Sequence, residues 1–368
     1  MTRKLNILFV RPTLGYGGAD RVTLNLLQGF DRTRFSCDLA LMRAEGDFIE
    51  DLPSDVSLFD LNARSLWFMW TPLYKLFKRG KYDVIYSTCG GASMPMMLAA
   101  ILSRYKGVKV VSERNILFPP NKSKFKRKLM LTIKKRLYSK ATWVTAVSKG
   151  VKIECEEILK VPANRALVVN NPILNETLEK GKEEEITHEF FQKYDKLVLA
   201  VGRFEWQKDY DTLFKAFEPI AKMENVGLFI LGKGPLLSRF EQLAQDLGIE
   251  DSVCFAGFDK NPFKYMKSSS VFVLSSQHEG MPGVLIQALA SGAACVSTDC
   301  RTGPNEIIEH GENGLLVPVG NSAMLGDAIS ELLHNSNLNE KFRRNGPESV
   351  SAFREEPAIE SYFNFLTK

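Results

Sequence analysis

The sequence predicts an α/β protein made of two doubly wound, parallel-sheet domains facing across a cleft. Three observations carry this. Short apolar runs alternate with longer stretches of helical periodicity, such as "ADRVTLNLLQGF" (19–30) and "YDTLFKAFEPIAKM" (210–223). The centres of the short runs are apolar without alternation, the pattern of parallel strands covered on both faces. The alternation breaks once and then restarts, in a chain whose 368 residues are too many for one comfortable core.

Taken in order, the first series of strands is "LNILFV" (5–10), "CDLALM" (37–42), "YDVIYS" (82–87), "KVVSE" (109–113), "TWVTAV" (142–147) and "ALVVNN" (166–171). A polar, charge-dense stretch follows, "LNETLEKGKEEEITHEFFQKYDK" (174–196). The second series is "LVLAVG" (197–202), "VGLFILG" (226–232), "DSVCFAG" (251–257), "VFVLSS" (271–276), "ACVSTD" (294–299) and "GLLVPV" (314–319). The expected division is therefore a first domain at 1–172, a linker at 173–194 and a second domain at 195–348. The final stretch, 349–368, holds Phe353, Ile359, Tyr362, Phe363 and Phe365 and is expected to close back on the first domain as a helix. In doubly wound sheets, ligands lie beyond the carboxyl ends of the strands.

Composition excludes several classes. Apolar residues at 45% and charged residues at 25% are ordinary for a globular protein. The first apolar stretch ends at Arg11 and Pro12, so it reads as a buried strand and not a signal peptide. The longest apolar run, Met94 to Leu102, falls far short of the ~20 residues that cross a bilayer. Cys37, Cys89, Cys155, Cys254, Cys295 and Cys300 form no CxxC pair and no zinc spacing with histidine, as expected of reduced cytosolic thiols. A net charge of +5 is too small to imply nucleic acid.

Four strand exits in the second half carry what an anion needs. Gly202 and Arg203 leave one strand with Lys208 following, a planar fork and a point charge suited to two phosphoryl groups. "GKGP" (232–235) ends the next in glycines, which let backbone approach a ligand closely. "EGMPG" (279–283) opens a helix whose free N–H groups and dipole favour negative charge, and "RTGPNEII" (301–308) repeats the arrangement. One such exit alone is a plain turn; four in one domain form a diphosphate site. In the first half, "GYGGADR" (15–21) lacks the third glycine of a dinucleotide fingerprint, because Asp20 stands there, so no nicotinamide site is expected. "DYD" (209–211) sits at a helix start and reads as an N-cap with first-turn acids. No metal and no cofactor are expected.

These motifs resemble those of the retaining family-four glycosyltransferases, which have the GT-B architecture of two Rossmann-like domains. The resemblance rests on "GYGGADR", "VVSERN" (110–115), "VTAVS" (144–148), "NNP" (170–172), "GRF…QK", "GKGP", "EGMPGVLIQALASG" (279–292), "GPNEII" and "NGLLVP", in order over most of the chain. It implies a transferase that moves a hexose from a nucleotide-diphosphate donor, UDP-linked by preference, to a saccharide acceptor. Many relatives use lipid-diphosphate acceptors in surface polysaccharide or glycan assembly. By the same resemblance Glu279 holds the donor-sugar hydroxyls, and Arg203 with Lys208 neutralises the diphosphate. Gly280, Met281, Pro282, Gly283 and Val284 supply backbone to its oxygens. Gly17 and Gly18 face it, beside Gly202, and the base lies near Phe258. The chain departs from the family at Gln287, where a second glutamate is the rule. On a helix from Gly283, Gln287 is expected to share a face with Gly283, Ala290 and Ser291, away from Val284. It departs again in the first half, where relatives carry a histidine and no histidine precedes His188. Glu113, or Asp20, is then the candidate base. Alternatively no enzymic base is needed, because the departing diphosphate takes the acceptor proton and the protein stabilises leaving-group charge. His278 reads as a hydrogen-bonded structural residue.

One stretch polarises the first half. From 121 to 141 the chain carries Lys124, Arg127, Lys128, Lys134 and Lys135 among other cations, with no acid between Glu113 and Glu154. Phe125, Leu129, Ile133 and Leu137 recur every fourth residue, so a basic amphipathic helix is expected. Its apolar stripe either packs on the core or, with "LWFMW" (66–70), meets an anionic membrane on the cytoplasmic face. Three other readings of the whole remain beside this one: a nucleotide-sugar epimerase on the same scaffold, a GDP-mannose-dependent mannosyltransferase, and a non-catalytic partner subunit.

Overall fold

A computed structural model of the chain describes residues 3–15, 17–117, 124–223 and 225–367. It divides into two compact units, Met1–Pro172 with Glu355–Lys368, and Ile173–Arg354.

The first unit is a seven-stranded sheet of β1 (Leu5–Arg11), β2 (Phe35–Leu41), β3 (Ser57–Asp60), β4 (Val84–Ser87), β5 (Val108–Glu113), β6 (Trp143–Ala146) and β7 (Ala166–Val168). Its order is β3-β2-β1-β4-β5-β6-β7, and every pairing is parallel. The winding reverses between β1 and β4. Ile7 to Val10 and Val84 to Tyr86 are fully buried, as unbroken apolar strands must be when helices cover both faces. β3 is the strand the sequence pattern does not announce. "SLFD" lies at the sheet edge with its ends exposed, so it needs no apolar run.

The second unit is a six-stranded parallel sheet of β8 (Lys196–Val201), β9 (Val226–Leu231), β10 (Val253–Phe255), β11 (Val271–Leu274), β12 (Cys295–Thr298) and β13 (Leu315–Val317). Its order is β10-β9-β8-β11-β12-β13, with the reversal between β8 and β11. Phe204, Phe214, Phe217, Phe240 and Ile329 fill the core on one side of it.

Two expectations about boundaries need correction. The expected linker 173–194 is folded onto the second unit. Helix Glu176–Gly181 buries Leu178, and the Gly181 carbonyl accepts from Asn261 Nδ2 at 2.9 Å. Helix Glu189–Lys193 sets His188 and Phe191 edge-on to Phe229, at 4.8 and 5.0 Å between ring centroids. The acids that made the stretch look like a linker lie outward, and Glu183 pairs with Lys267 at 2.5 Å. At the other end, 349–354 belongs to the second unit, since Phe353 O accepts from Ile173 N and Leu174 N. Only from Glu355 does the chain join the first unit. There, helix Glu355–Leu366 stacks Phe363 on Phe35 with centroids 4.9 Å apart and planes 8° from parallel. Gly29 makes this approach possible, because a Cβ there would lie 2.1 Å from Ile359 Cδ1.

No helix among the described residues is long and apolar enough to cross a membrane.

Candidate active site

In the second unit the exits of β8 and β11 meet at the reversal of winding, and of the sequence-predicted residues Gly202, Arg203, Lys208, 279–284 and Gln287 stand on the segments that follow them. β8 runs out at Val201 into Gly202 and Arg203, and a one-turn helix, Trp206–Lys208, carries Lys208 back. Asp209, in the left-handed region at φ 48°, ends that turn. The Lys208 stem lies across Gly202, where a Cβ would be 3.1 Å from Lys208 Cε, so glycine leaves the lysine its path. From β11, Ser275 to Pro282 lead into helix Gly283–Ala290.

Lys208 Nζ donates to Glu279 Oε1 at 2.7 Å. Ser276 Oγ donates to the same oxygen at 2.8 Å, and Gln207 Nε2 lies 3.4 Å from Oε2. Glu279 is buried, a position a carboxylate tolerates only with such donors. The two exits are laced together beneath the pair. Ser275 Oγ donates to Lys208 O at 2.8 Å, Gln207 Nε2 to His278 O at 2.9 Å, and Gln277 N to Gln207 O at 2.8 Å. From the next loop Thr302 donates to the Glu279 carbonyl, and Gly303 (φ 94°) fits where a Cβ would lie 2.8 Å from Pro282 Cδ. "RTGPNEII" is thus a brace for 279–282, and its own Pro304–Glu306 forms one helical turn.

Helix Gly283–Ala290 begins after Pro282 with no side-chain cap, so its first N–H groups are not used by a capping side chain. Leu285, Ile286, Ala288 and Leu289 are fully buried, leaving Gly283, Val284 and Gln287 on the half-exposed side. Val284 therefore shares the face of Gln287, whereas Ala290 and Ser291 are buried: three residues of helix return to within about 60°. Arg203 is half-exposed and donates to Glu205 Oε1 at 2.9 Å. Phe258 follows Gly257 (φ 76°) and lies under Lys233 Nζ, 5.0 Å from its ring centroid. Burial pushes the His278 imidazole below its ordinary value, against the opposing pull of Glu279.

The glycines of "GKGP" have a different use from the expected one. A Cβ on Gly232 would lie 1.9 Å from Gly202 O, and one on Gly234 2.6 Å from Phe204 N and O. They let β9's exit pack on β8's exit. "DYD" splits: Asp209 accepts from Thr212 Oγ1 at 2.8 Å, and Asp211 pairs with Arg239. Among the described residues no group of His, Cys, Asp or Glu is placed to hold a metal ion. Ser276 is a candidate-site residue that sequence reasoning missed, and Gln207 and Lys233 stood inside "GRF…QK" and "GKGP" with no role given to their side chains, since isolated polar residues in loops carry no periodic signal.

The first unit answers differently for its candidates. Glu113, at the end of β5, is buried and held by Lys134 Nζ at 2.7 Å and by the Tyr138 hydroxyl. Both oxygens are engaged, so a base role for Glu113 does not fit its surroundings. Lys134 is correspondingly buried and is not part of an exposed basic face. The cause is helix Lys124–Tyr138, which turns Lys134 and Tyr138 inward. Phe125 (78% exposed) and Leu129 (54%) face out, whereas Ile133 and Leu137 are partly buried, so the first half of the expected apolar stripe is not covered by this unit. Lys128 and Lys135 are exposed on that helix and Arg127 is half-buried. Residues 121–123, and the side chain of Lys124, lie outside what is described. In "LWFMW", Trp67 (46%) and Phe68 (57%) are exposed and Met69 is buried. Asp20 is also engaged: it pairs with the buried Arg11 guanidinium and accepts from Gly17 N at 3.0 Å. Arg11 donates further to Ala19 O, Thr23 and Thr88, which fixes the loop ahead of helix Gly18–Gly29. Gly17 lies tight against Asp20, and Gly18 has open space where a Cβ would be. Tyr16 lies outside the described residues.

Two parallel α/β sheets, one with a cation, a buried carboxylate and an uncapped helix start at its reversal point, define a protein of the two-domain Rossmann-like GT-B class. Residues 16–174 match Glycosyltransferase Family 4 and residues 181–349 match Glycosyl transferases group 1. The chain belongs to these group 1, family-four glycosyltransferases. It is 27% identical over 355 residues, 93% of each chain, to the N-acetylgalactosamine-N,N'-diacetylbacillosaminyl-diphospho-undecaprenol 4-alpha-N-acetylgalactosaminyltransferase of Campylobacter jejuni. It is 29% identical over 221 residues to the N-acetyl-alpha-D-glucosaminyl L-malate synthase of Bacillus anthracis, covering 60% of this chain and 58% of the relative. Among solved structures, Anabaena HepE in complex with UDP-glucose superposes with a TM-score of 0.81 at 19% identity, covering 99% of both chains.

Proposed function

We propose that this glycosyltransferase is a retaining, metal-independent hexosyltransferase. It takes a sugar from a nucleotide-diphosphate donor, UDP-linked by preference, and passes it to a polyprenyl-diphosphate-linked saccharide. The observation that carries this is the Lys208–Glu279 pair at the exits of β8 and β11, beside Arg203 and the uncapped start of helix Gly283–Ala290. Arg203, Lys208 and the helix N–H groups neutralise the diphosphate, and Glu279 takes the sugar hydroxyls. Gln287 serves the ribose by donating and accepting where a carboxylate would only accept.

In the reaction the bond from the anomeric carbon to the diphosphate oxygen breaks, and the acceptor hydroxyl bonds to that carbon on the same face. Its proton passes to the departing diphosphate oxygen. The engaged state of Glu113 and Asp20 supports this course, because neither carboxylate is held as a base would be. The chain's task is then to stabilise leaving-group charge.

The lipid-linked acceptor is supported by the Campylobacter relative, whose name places its own acceptor on undecaprenol diphosphate. Exposed Phe125, Leu129, Trp67 and Phe68, with Lys128 and Lys135 on the same helix as the first two, suit an anionic cytoplasmic leaflet. The test is transfer from a panel of UDP- and GDP-sugars to a polyprenyl-diphosphate saccharide, with the anomer of the product read by NMR. Retention from a UDP-sugar is expected. An inverted product, or turnover by Glu279→Ala equal to the parent's, would contradict the reading.

A further inference from the structure

Lys208 is assigned to the diphosphate, yet the structure gives it to Glu279 at 2.7 Å. The surroundings say which parts can move. Lys208 is pinned at its backbone, since its carbonyl accepts from Ser275 Oγ and the next residue sits in the left-handed region. Its side chain lies along Gly202, which has no Cβ to occupy that space, and ends in one ammonium group that donates to Glu279. Glu279 is buried and cannot be left bare, because an unpartnered carboxylate is costly out of water. It keeps two further donors, Ser276 Oγ at 2.8 Å and Gln207 Nε2 at 3.4 Å, both from the laced loops and not from the lysine side chain. Ser276 itself is fully buried, and its carbonyl accepts from Thr298 Oγ1 at 2.6 Å, so it stays in place.

We propose that donor binding exchanges the partners of this cluster: Lys208 passes from Glu279 to the diphosphate, while Ser276 and Gln207 hold the Glu279 carboxylate for the sugar. Ser276 and Gln207 are thereby positioning residues. The inference rests on the proposed reading of the site, and it makes the carboxylate a competitor of the diphosphate until the sugar arrives. A donor carrying its sugar repays Glu279 with hydroxyls; a bare nucleoside diphosphate does not. The device therefore favours the intact donor over the spent nucleotide.

The test is titration calorimetry with free UDP on four proteins: the parent, Glu279→Gln, Ser276→Ala and the double variant. Glu279→Gln is expected to bind UDP about three- to tenfold more tightly than the parent while transfer falls at least about a hundredfold. Ser276→Ala is expected to weaken UDP about three- to tenfold in the parent and less than about twofold in the Glu279→Gln background, because its role runs through Glu279. If Ser276→Ala does not fold, Gln207→Ala takes its place in the cycle. Equal or weaker UDP binding by Glu279→Gln, or the same loss from Ser276→Ala in both backgrounds, overturns the exchange and leaves the proposed function standing. A parent that binds no nucleoside diphosphate overturns both.

Discussion

Glu113 and Glu279 are both buried glutamates at strand exits, each holding a lysine at 2.7 Å, and their surroundings separate them. Glu113 is closed in by Lys134 and Tyr138 from one inward helix face, and burial together with Glu113 pushes the Tyr138 hydroxyl well above its ordinary value. Glu279 instead stands one turn before an uncapped helix. Removing one partner of a buried pair costs about 3–5 kcal/mol, so Glu113→Ala should lose stability on that scale in urea titration while the folded fraction keeps its turnover. Loss of turnover at unchanged stability would restore it as a base. His278 gives a pH signature. Its folded-state pKa lies below the ordinary value because of burial, so its contribution to stability is complete above the unfolded value, about 6.5, and is lost as pH falls toward the folded one. Thermal melts from pH 7 to 5 should show the parent losing stability relative to His278→Asn.

At the scale of elements, helix Lys124–Tyr138 has two roles that its sequence blends. Spacing made every lysine in it a surface charge, but only the fold shows that Lys134 turns in while Phe125 and Leu129 stay out. Replacing Arg127, Lys128 and Lys135 by glutamine should weaken flotation with anionic vesicles, by about 1 kcal/mol for each charge that meets the surface. Lys134→Gln should act on stability and leave flotation alone. Unchanged flotation of the triple variant would remove the membrane from the proposal. The last helix makes a second prediction. Phe363 stacks on Phe35 and Phe30, so Phe363→Ala should destabilise the first unit by about 3–5 kcal/mol in urea unfolding. A change below about 1 kcal/mol would mean that helix Glu355–Leu366 is not docked there. Twelve of the thirteen strands among the described residues were legible because parallel strands are written as apolar runs. β3 was not, being a short edge strand, and the folded 173–194 segment was hidden by acids that face away from Leu178 and Phe191.

For the molecule as a whole, the reading of the site was legible where chemistry requires a residue type at a strand exit: Gly202, Arg203, Lys208, Glu279 and the helix start at Gly283. Ser276 and Gln207 were not, because what marks them is a distance to Glu279, which the fold alone sets. The central claim is that the β8 and β11 exits of the second unit hold a nucleotide-diphosphate sugar through Arg203 and Lys208. The most direct measurement is UDP affinity of the parent beside Arg203→Ala, Lys208→Ala and the double variant, each shown by its melting curve to be folded at the temperature of the titration. The account predicts binding by the parent and a loss of at least about tenfold in each single variant, about 1.4 kcal/mol. Affinity that survives removal of both cations would contradict it.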